Sequence, residues 1–98
     1  MDIEVEISDI RRKVDVQPIK NALMKVRAIH GVTYRWKDST VRGAGVIAQE
    51  MMAVMPEVVG RDEEGYLTVA SGQVIGLLIE AIKELQAEIE SLQRKLEE

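Results

Sequence analysis

The sequence predicts an α+β fold, in which a small globular part of short strands and helices precedes a long C-terminal helix. Short stretches in which apolar and polar residues alternate indicate strands within residues 1–72. Between them, two stretches repeat apolar residues at helical spacing. From about Gln73 to Glu98 the chain has no Pro, and Ile and Leu recur every three or four positions, the pattern of a coiled-coil helix.

The N-terminal half is predicted to contain two strands and one helix. Residues 2–7 alternate acidic with aliphatic side chains, which is typical of a half-buried strand. Residues 18–29 begin with Pro, which suits the first turn of a helix, and continue with apolar residues at helical spacing before a capping Gly31. Alternation over 32–36 predicts a second strand, and the residues over 38–45 are typical of a turn.

The middle of the chain is predicted to form a short helix and two strands. Helical spacing of apolar residues over 47–55 is ended by Pro56. Residues 58–59 and 66–69 indicate two short strands, which are candidates for a hairpin around the loop 60–65. The methionines of the short helix are interpreted as core-filling residues: Met51, Met52 and Met55.

The C-terminal helix carries a heptad seam of seven aliphatic side chains. Its a positions are Ile75, Ile82, Ile89 and Leu96, and its d positions are Leu78, Leu85 and Leu92. A helix over 73–98 would be about 39 Å long, which is too long to fold back onto so small a domain. In a monomer each seam residue would forgo roughly 1.5–3 kcal/mol of burial. We therefore predict self-association, and the pattern alone leaves dimer and trimer equally open.

Composition and charge exclude several classes of function. The chain has 13 Lys and Arg against 17 Asp and Glu, a net charge of −4, which argues against a nucleic-acid binder that relies on phosphate contacts. It has no Cys and a single His, His30, so disulfides, thiolate zinc sites and multi-histidine centres are excluded within one chain. No cofactor or metal is expected. The longest apolar run, 74–79, is too short to span a membrane.

Six groups of residues keep a defined order from residue 8 to about residue 90. They are Ser8-Asp9-Ile10-Arg11-Arg12-Lys13, Pro18-Ile19-x-Asn21-Ala22-Leu23, Gly31-Val32-Thr33-Tyr34-x-Trp36, Gly45-Val46-Ile47-Ala48-Gln49-Glu50, Pro56-Glu57-Val58-Val59, and Gly65-Tyr66-Leu67-x-Val69 ahead of Leu77-Leu78-Ile79-Glu80-Ala81-Ile82-Lys83-Glu84-Leu85. Each group alone is weak evidence for a protein family, but six groups in the same order are specific evidence. Together they resemble the C-terminal intramolecular chaperone and auto-processing domain of phage tailspikes and tail fibres, of the endosialidase type. A related domain occurs in the myelin regulatory factors of animals.

The resemblance implies both a role and a mechanism. Domains of this family assemble as trimers, fold the β-rich fibre or spike upstream of them, and then cut themselves off with a serine–lysine pair. Carried onto this sequence, the scissile bond is Ile7–Ser8, Ser8 is the nucleophile and Lys13 is its base. The implied helical assembly is a trimeric coiled coil.

The resemblance also implies how the chain is divided and where it acts. Residues 1–7 would be a stub of the upstream segment, 8–72 the globular chaperone and peptidase part, and 73–98 the coiled-coil helix. The partners would be two further copies and the upstream fibre or spike of the same precursor, without nucleic acid or membrane. The domain would act in the host cell cytoplasm during phage assembly, and its parent protein would reside in the virion tail.

The chemistry of a serine–lysine pair limits where it can work. A serine hydroxyl becomes a nucleophile when a base removes its proton. A lysine is such a base only when neutral, whereas an ordinary lysine pKa of about 10.4 keeps it charged at pH 7. Apolar burial or nearby cations lower a lysine pKa, and Arg11 and Arg12 adjoin Lys13. We therefore expect assembly to switch cleavage on, with attack through an ester or by an aligned water both open.

Two positions depart from the family pattern. Many relatives carry His shortly before the Gly-x-Ile-Ala-Gln motif, where this chain has Gly43, and Tyr after the Gly-Tyr-Leu strand, where Ser71 stands. Without the resemblance, Ser8-Asp9 is typical of a turn or helix cap, Lys13 of a solvated charge, and His30 of a surface or capping residue. The alternatives are a non-catalytic trimerisation module of a fibrous protein and a free-standing coiled-coil adaptor.

Overall fold

The computed structural model describes residues 5–98 and confirms the α+β fold class. Over these residues, two small antiparallel sheets and two short helices form the globular part, and one long helix follows. In chain order the elements are α1 (Ala22–Arg27), β1 (Val32–Arg35), β2 (Arg42–Gly45), α2 (Ala48–Val54), β3 (Val59–Arg61), β4 (Leu67–Val69) and α3 (Ser71–Glu97), with 3₁₀ turns at Ile10–Arg12 and Pro56–Val58.

β1 and β2 form an antiparallel hairpin in which Tyr34 lies opposite Gly43. The prediction of turn residues across 38–45 is therefore wrong for Arg42–Gly45, which forms β2. A glycine-rich segment has little preference for a strand by itself. Here the Tyr34 ring covers Gly43 so closely that a β-carbon at that position would come within 2.8 Å of the ring. The strand thus depends on its partner, and its own residues gave no signal for it.

β3 and β4 form the second hairpin, which confirms the pairing predicted for this region. Val58, predicted to begin the first of these strands, belongs instead to the preceding 3₁₀ turn. The Asp62 carboxylate closes the loop by accepting hydrogen bonds from the backbone N–H groups of Glu64 (3.0 Å) and Tyr66 (2.9 Å). Gly65 has a φ of 91° in this loop, a conformation that glycine adopts without strain.

Residues 5–7, before the first 3₁₀ turn, do not form the strand predicted for residues 2–7. Val5 to Ile7 belong to no strand, and residues 2–4 of that prediction lie outside the described residues. A strand needs a hydrogen-bonding neighbour, and these residues have none among residues 5–98. Alternation of side chains alone is therefore insufficient to form a strand here.

α1 is shorter than predicted, and α3 helps to start it. The helix begins at Ala22, four residues after Pro18, because Asn21 takes a left-handed φ of 55° and interrupts the helical path. The Glu84 carboxylate of α3 accepts hydrogen bonds from the backbone N–H groups of Ala22 (2.6 Å) and Leu23 (3.4 Å). These are the first N–H groups of the helix, which have no partner within it. Glu84 therefore supplies the cap that the local sequence lacks.

A small core lies between α1, α2, the second 3₁₀ turn and the first half of α3. Two of the methionines predicted to fill it, Met51 and Met55, are buried, whereas Met52 is exposed. The prediction for Met52 is wrong because it lies about 100° around the helix from Met51, outside the face that meets the core. Among residues 5–98 the buried side chains are Ala22, Met51, Met55, Val58, Val74, Leu77 and Ala81.

α3 has two apolar faces. Its inward face is buried against the core through Val74, Leu77 and Ala81. The predicted heptad seam is a separate face, and its seven residues are between 42% and 86% exposed in a single chain. A helix of 27 residues is about 40 Å long, and the molecule measures 58 Å along its longest axis, so the second half of α3 extends beyond the core. Among residues 5–98, no helix has the length and apolarity needed to cross a membrane.

Candidate active site

A single turn brings Ser8 and Lys13 into contact. The 3₁₀ turn Ile10–Arg12 curls the chain so that Lys13 Nζ donates a hydrogen bond to Ser8 Oγ at 2.9 Å. This hydroxyl belongs to the residue directly after the Ile7–Ser8 peptide bond. The two residues predicted to form a dyad therefore lie within hydrogen-bonding distance, next to the bond predicted to be cut.

Asp9 holds this turn in place. Its carboxylate accepts a hydrogen bond from the Arg11 backbone N–H at 2.8 Å and pairs with the Arg11 guanidinium at 2.8 Å. The hydrogen bonds from the Arg11 side chain and backbone lower the pKa of the Asp9 carboxyl, and the charge of Lys13 lowers it further. Asp9 is thus the cap of the turn, which confirms the cap interpretation for this residue. Its signal in the sequence is an acid at the N-cap position.

The Asp9–Arg11 pair changes the electrostatic argument for the dyad. Arg11 and Arg12 are the cations next to Lys13 in the sequence, and nearby cations favour a neutral lysine. However, Arg11 donates to Asp9 with both its backbone and its side chain, and Asp9 in turn raises the pKa of Arg11. The Asp9 carboxylate compensates the charge of Arg11. The pairing of Arg11 with Asp9 therefore weakens the effect that the neighbouring cations would have on Lys13.

The chain around the dyad is exposed to solvent. Ser8 and Lys13 are both exposed, so a single chain leaves the dyad in water. Along the same stretch, which we call the N-terminal arm (residues 5–16), the aliphatic side chains are each more than half exposed: Val5, Ile7, Ile10, Val14 and Val16. Single exposed aliphatics are ordinary, but a row of them marks a surface that a partner can cover.

His30 is a surface residue, as predicted, and it is tied to α2. Its backbone N–H and its Nδ1 atom contact the two oxygens of the Glu50 carboxylate, each at 3.0 Å. This link joins the segment before β1 to α2. Among residues 5–98, no three side chains of the metal-binding types come together.

The structure describes the surroundings of both positions that depart from the family pattern, Gly43 and Ser71. Gly43 sits beneath the Tyr34 ring, and Tyr34 packs edge-on against Trp36 with ring centres 5.0 Å apart. A histidine at position 43 would meet that ring with its β-carbon, so an aromatic pair occupies the space. Ser71 is the first residue of α3.

The fold and the turn together define a small α+β domain that carries a serine–lysine contact beside a peptide bond. The sequence profile described as the chaperone of endosialidase, the profile of a peptidase family, matches residues 8–60. The match begins at Ser8 and covers more than half of the chain. The chain belongs to this chaperone family, as its motifs predict.

Segments of phage tail fibres are similar to this chain. It is 41% identical over 99 residues to the long tail fiber protein Gp37 of Enterobacteria phage K3, and equally to that of Enterobacteria phage T2, with 91% of this chain covered. To Gp37 of Escherichia phage AR1 it is 40% identical over 87 residues, or 79% of this chain. The chain spans only 7% to 8% of the length of these relatives. It is therefore a chaperone domain of the phage tail-fibre type.

Proposed function

We propose that this domain is a trimeric intramolecular chaperone of a phage tail fibre or tailspike that releases itself by cutting the Ile7–Ser8 bond. The observation that supports this most directly is the 2.9 Å contact between Lys13 Nζ and Ser8 Oγ. The peptidase character of the family, and the start of its match at residue 8, agree with this boundary. Residues 1–7 are then the end of the upstream segment, 8–72 the chaperone and peptidase part, and 73–98 the coiled-coil helix.

The reaction requires one proton to move twice. A neutral Lys13 amine takes the Ser8 hydroxyl proton as Oγ forms a bond to the Ile7 carbonyl carbon. The C–N bond then breaks, the Ser8 nitrogen receives the proton from Lys13, and an ester joins Ile7 to Ser8 Oγ. Water hydrolyses this ester, which leaves a carboxylate on Ile7 and a free amine and hydroxyl on Ser8. In the second route, a water aligned by the Ser8 hydroxyl gives a proton to Lys13 and attacks the same carbonyl; the C–N bond breaks and the Ser8 nitrogen receives the proton from Lys13.

Assembly supplies what a single chain lacks. In a single chain both residues of the dyad are exposed to water. Three α3 helices packed along the seam would cover its exposed aliphatic side chains. Three N-terminal arms would come close together in the same complex and could cover one another's apolar residues. Removal of water from the dyad favours the neutral amine, so cutting follows assembly and the chaperone does not leave early.

The upstream partner is a fibre or spike. The relatives named above are long tail fibre proteins, and this chain matches a segment of 7% to 8% of their length. A domain of that size beside a long fibre is suited to bring three strands of the fibre into register. On this basis the parent protein resides in the virion tail, and the domain acts in the host cytoplasm during assembly.

Mass spectrometry of the full chain tests the proposal. We expect native spectra of the wild type to show three copies, each of which has lost the first seven residues. Ser8→Ala and Lys13→Ala should each keep residues 1–7 attached while the trimer persists. Lys20→Ala, which removes another exposed lysine outside the turn, serves as the matched control and should cut at the wild-type rate. Cleavage in Ser8→Ala, or a wild-type trimer that stays whole, would contradict self-cleavage by this dyad.

A non-catalytic trimerisation module is the second candidate function. Its support is Gly43, where many relatives carry His, because the Tyr34 ring fills the space that such a side chain would need. This function predicts a native trimer whose mass includes residues 1–7 at every pH and incubation time. The same spectra distinguish the two functions.

A further inference from the structure

All three aromatic side chains of the protein line two cavities that share Trp36. A cavity of about 510 Å³ is lined in part by Tyr34, Trp36, Leu67 and Val69. A second cavity of about 510 Å³ adjoins it at Trp36 and reaches Tyr66. Trp36 and Tyr66 are 57% and 69% exposed, although aromatic side chains contribute most when they are covered. We call the two cavities together the aromatic groove.

The aromatic groove is suited to an extended segment that is both apolar and acidic. Leu67 and Val69 line its first cavity with apolar side chains, and Arg35 and Lys37 line its second cavity with two positive charges. Among the described strands, β1 pairs only with β2 and β4 only with β3, so each keeps one edge with unpaired backbone groups. Such edges bind extended peptides through main-chain hydrogen bonds, and adjacent pockets select alternate side chains.

The N-terminal arm passes the end of this groove. The Glu6 carboxylate lies beside Gly72 in the first turn of α3. Glu6 also lines a smaller cavity together with Val69 and Ala70. Because Val69 lines the aromatic groove as well, the arm at Glu6 adjoins the groove at this residue.

The sequence that leads into the arm has the chemistry that fits the groove. Ile3 and Val5 alternate with Asp2, Glu4 and Glu6, so an extended segment would present aliphatic side chains on one face and acids on the other. Three extended residues span roughly 10 Å, a length that suits a short segment bound in the groove. Asp2 and Glu4 match Arg35 and Lys37, the two basic residues that line its second cavity.

We propose that the aromatic groove binds the segment that precedes Val5 of the same chain, and that this contact holds the end of the upstream fibre, an inference that rests on the function proposed above. The scissile Ile7–Ser8 bond would then lie between two anchored points, the groove on one side and the Ser8–Lys13 turn on the other. Fixed orientation of a reacting bond is a general source of rate enhancement. Trp36 is accordingly a positioning residue for cleavage.

The emission of Trp36 reports directly on the groove, because it is the only Trp in the chain. The measurement uses the full chain with Ser8→Ala, which cannot cut. In one variant Ile3→Ser removes the aliphatic side chain of the leader and keeps its acids. The matched control is Val14→Ser, which removes an exposed aliphatic side chain on the other side of the dyad.

We expect the Ile3→Ser leader variant to shift Trp36 emission to the red and to raise its quenching by acrylamide, and Val14→Ser to leave both unchanged. Emission and quenching that do not differ between the leader variant and its parent would overturn the assignment. An equal shift in Val14→Ser would overturn it as well, because the effect would then not be specific to the leader.

The rate of cleavage gives an independent readout in the chain that retains Ser8. Loss of one such apolar contact lowers the occupancy of the groove by the leader about tenfold. Trp36→Ala should therefore slow cleavage about tenfold, with the cut still at the Ile7–Ser8 bond. Trp36→Phe keeps an aromatic ring that can pack against Tyr34. This variant should therefore retain most of the wild-type cleavage rate. If Trp36→Ala cuts as fast as the wild type, the groove does not position the bond.

Two controls separate the groove from the rest of the mechanism. If the wild type never cuts, self-cleavage fails, yet Trp36 emission in the Ser8→Ala chain still decides the groove. Mixed trimers identify which copy's leader is bound. Copies with Trp36→Phe and a native leader are mixed with copies that have Trp36 and the leader variant. Because each groove is proposed to bind the leader of its own chain, Trp36 should stay exposed in this mixture. A return of protection would assign the groove to a neighbouring copy and overturn binding within one chain.

Discussion

Ser8 and Lys13 meet because Asp9 and Arg11 close the turn between them. The Asp9 carboxylate accepts hydrogen bonds from the Arg11 backbone and side chain, and Lys13 Nζ then lies 2.9 Å from Ser8 Oγ. The turn is exposed and has only three helical residues, so it has little packing to preserve it. We infer that Asp9 positions the dyad and has no role in the bond-breaking step itself.

Substitutions at Asp9 should slow cleavage in a graded way. Asp9→Asn retains a side-chain oxygen that can cap the Arg11 N–H but loses the ion pair, whereas Asp9→Ala loses both. We therefore expect the rate to fall in the order wild type, Asp9→Asn, Asp9→Ala, with the alanine variant slower by about tenfold. Single-turnover cleavage followed by intact mass measures it. Equal rates for all three chains would show that the turn forms without Asp9.

The same residue gives a pH dependence with a defined sign. Arg11 lowers the pKa of Asp9 below its ordinary value of 3.8, so the ion pair is present above that pH and is lost as the pH falls below it. We expect the Lys13–Ser8 contact to loosen on acidification in the wild type. In Asp9→Asn this transition should be absent, as measured by NMR of the Ser8 and Lys13 side chains between pH 2 and 6. A transition of the same size in both chains would exclude Asp9 as its origin.

At the scale of elements, α1 depends on a cap supplied by α3. α1 has six residues, which is too short to be stable alone in water. Its cap residue Asn21 makes no side-chain hydrogen bond to the helix, and Glu84 accepts from the first two N–H groups instead. This contact joins residues 62 positions apart in the chain. It also fixes α1 against the part of α3 that carries the core.

Removal of the Glu84 carboxylate should therefore destabilise the globular part. Glu84→Ala should lower the free energy of unfolding by about 1 kcal/mol, the usual cost of losing a helix cap, and Glu84→Gln by less. Glu88→Ala, one turn further along α3 and exposed, is the control and should have little effect. Urea unfolding at one fixed protein concentration measures the differences. If both alanine variants lose equal stability, general helix effects and not the cap would be responsible.

At the scale of the whole molecule, the shape of one chain is unusual for its size. Its radius of gyration is 17.1 Å, whereas a compact chain of this length would have about 13 Å. The excess comes from α3, whose second half has no core to pack against. The seam residues remain exposed there and in the first half of the helix alike. A single copy thus leaves a continuous apolar stripe in water, which favours the proposed trimer.

The seam can be tested apart from the dyad. Ile82→Ser with Leu85→Ser should dissociate the trimer, since each replaced side chain forgoes roughly 1.5–3 kcal/mol of burial per copy. Dissociation should also stop cleavage, although Ser8 and Lys13 are unchanged. Gln93→Ser, on the same helix but off the seam, should leave three copies in native mass spectra. A seam variant that stays trimeric would assign the interface elsewhere, and one that is monomeric but still cuts would separate cleavage from assembly.

Much of the fold could be predicted from particular residues. The heptad seam of Ile and Leu predicts α3, which begins two residues earlier than expected, at Ser71. Alternation over 66–69 predicts β4, and Pro56 correctly marks the end of α2. In contrast, β2 gave no signal, because its Gly-rich residues form a strand only under the Tyr34 ring. Pro18 suggested a helix start that the left-handed Asn21 prevents.

Residue type and spacing suffice to predict the features that depend on neighbours within a few positions. These are the α+β class, the long helix, the apolar stripe and the motif that carries Ser8 and Lys13. Contacts in the folded chain set where α1 begins, that the Asp9 carboxylate pairs with Arg11, and that Trp36 lines one cavity with Tyr34 and another with Tyr66. Those outcomes depend on contacts between residues distant in the chain or on the geometry of one turn, which no periodic pattern encodes.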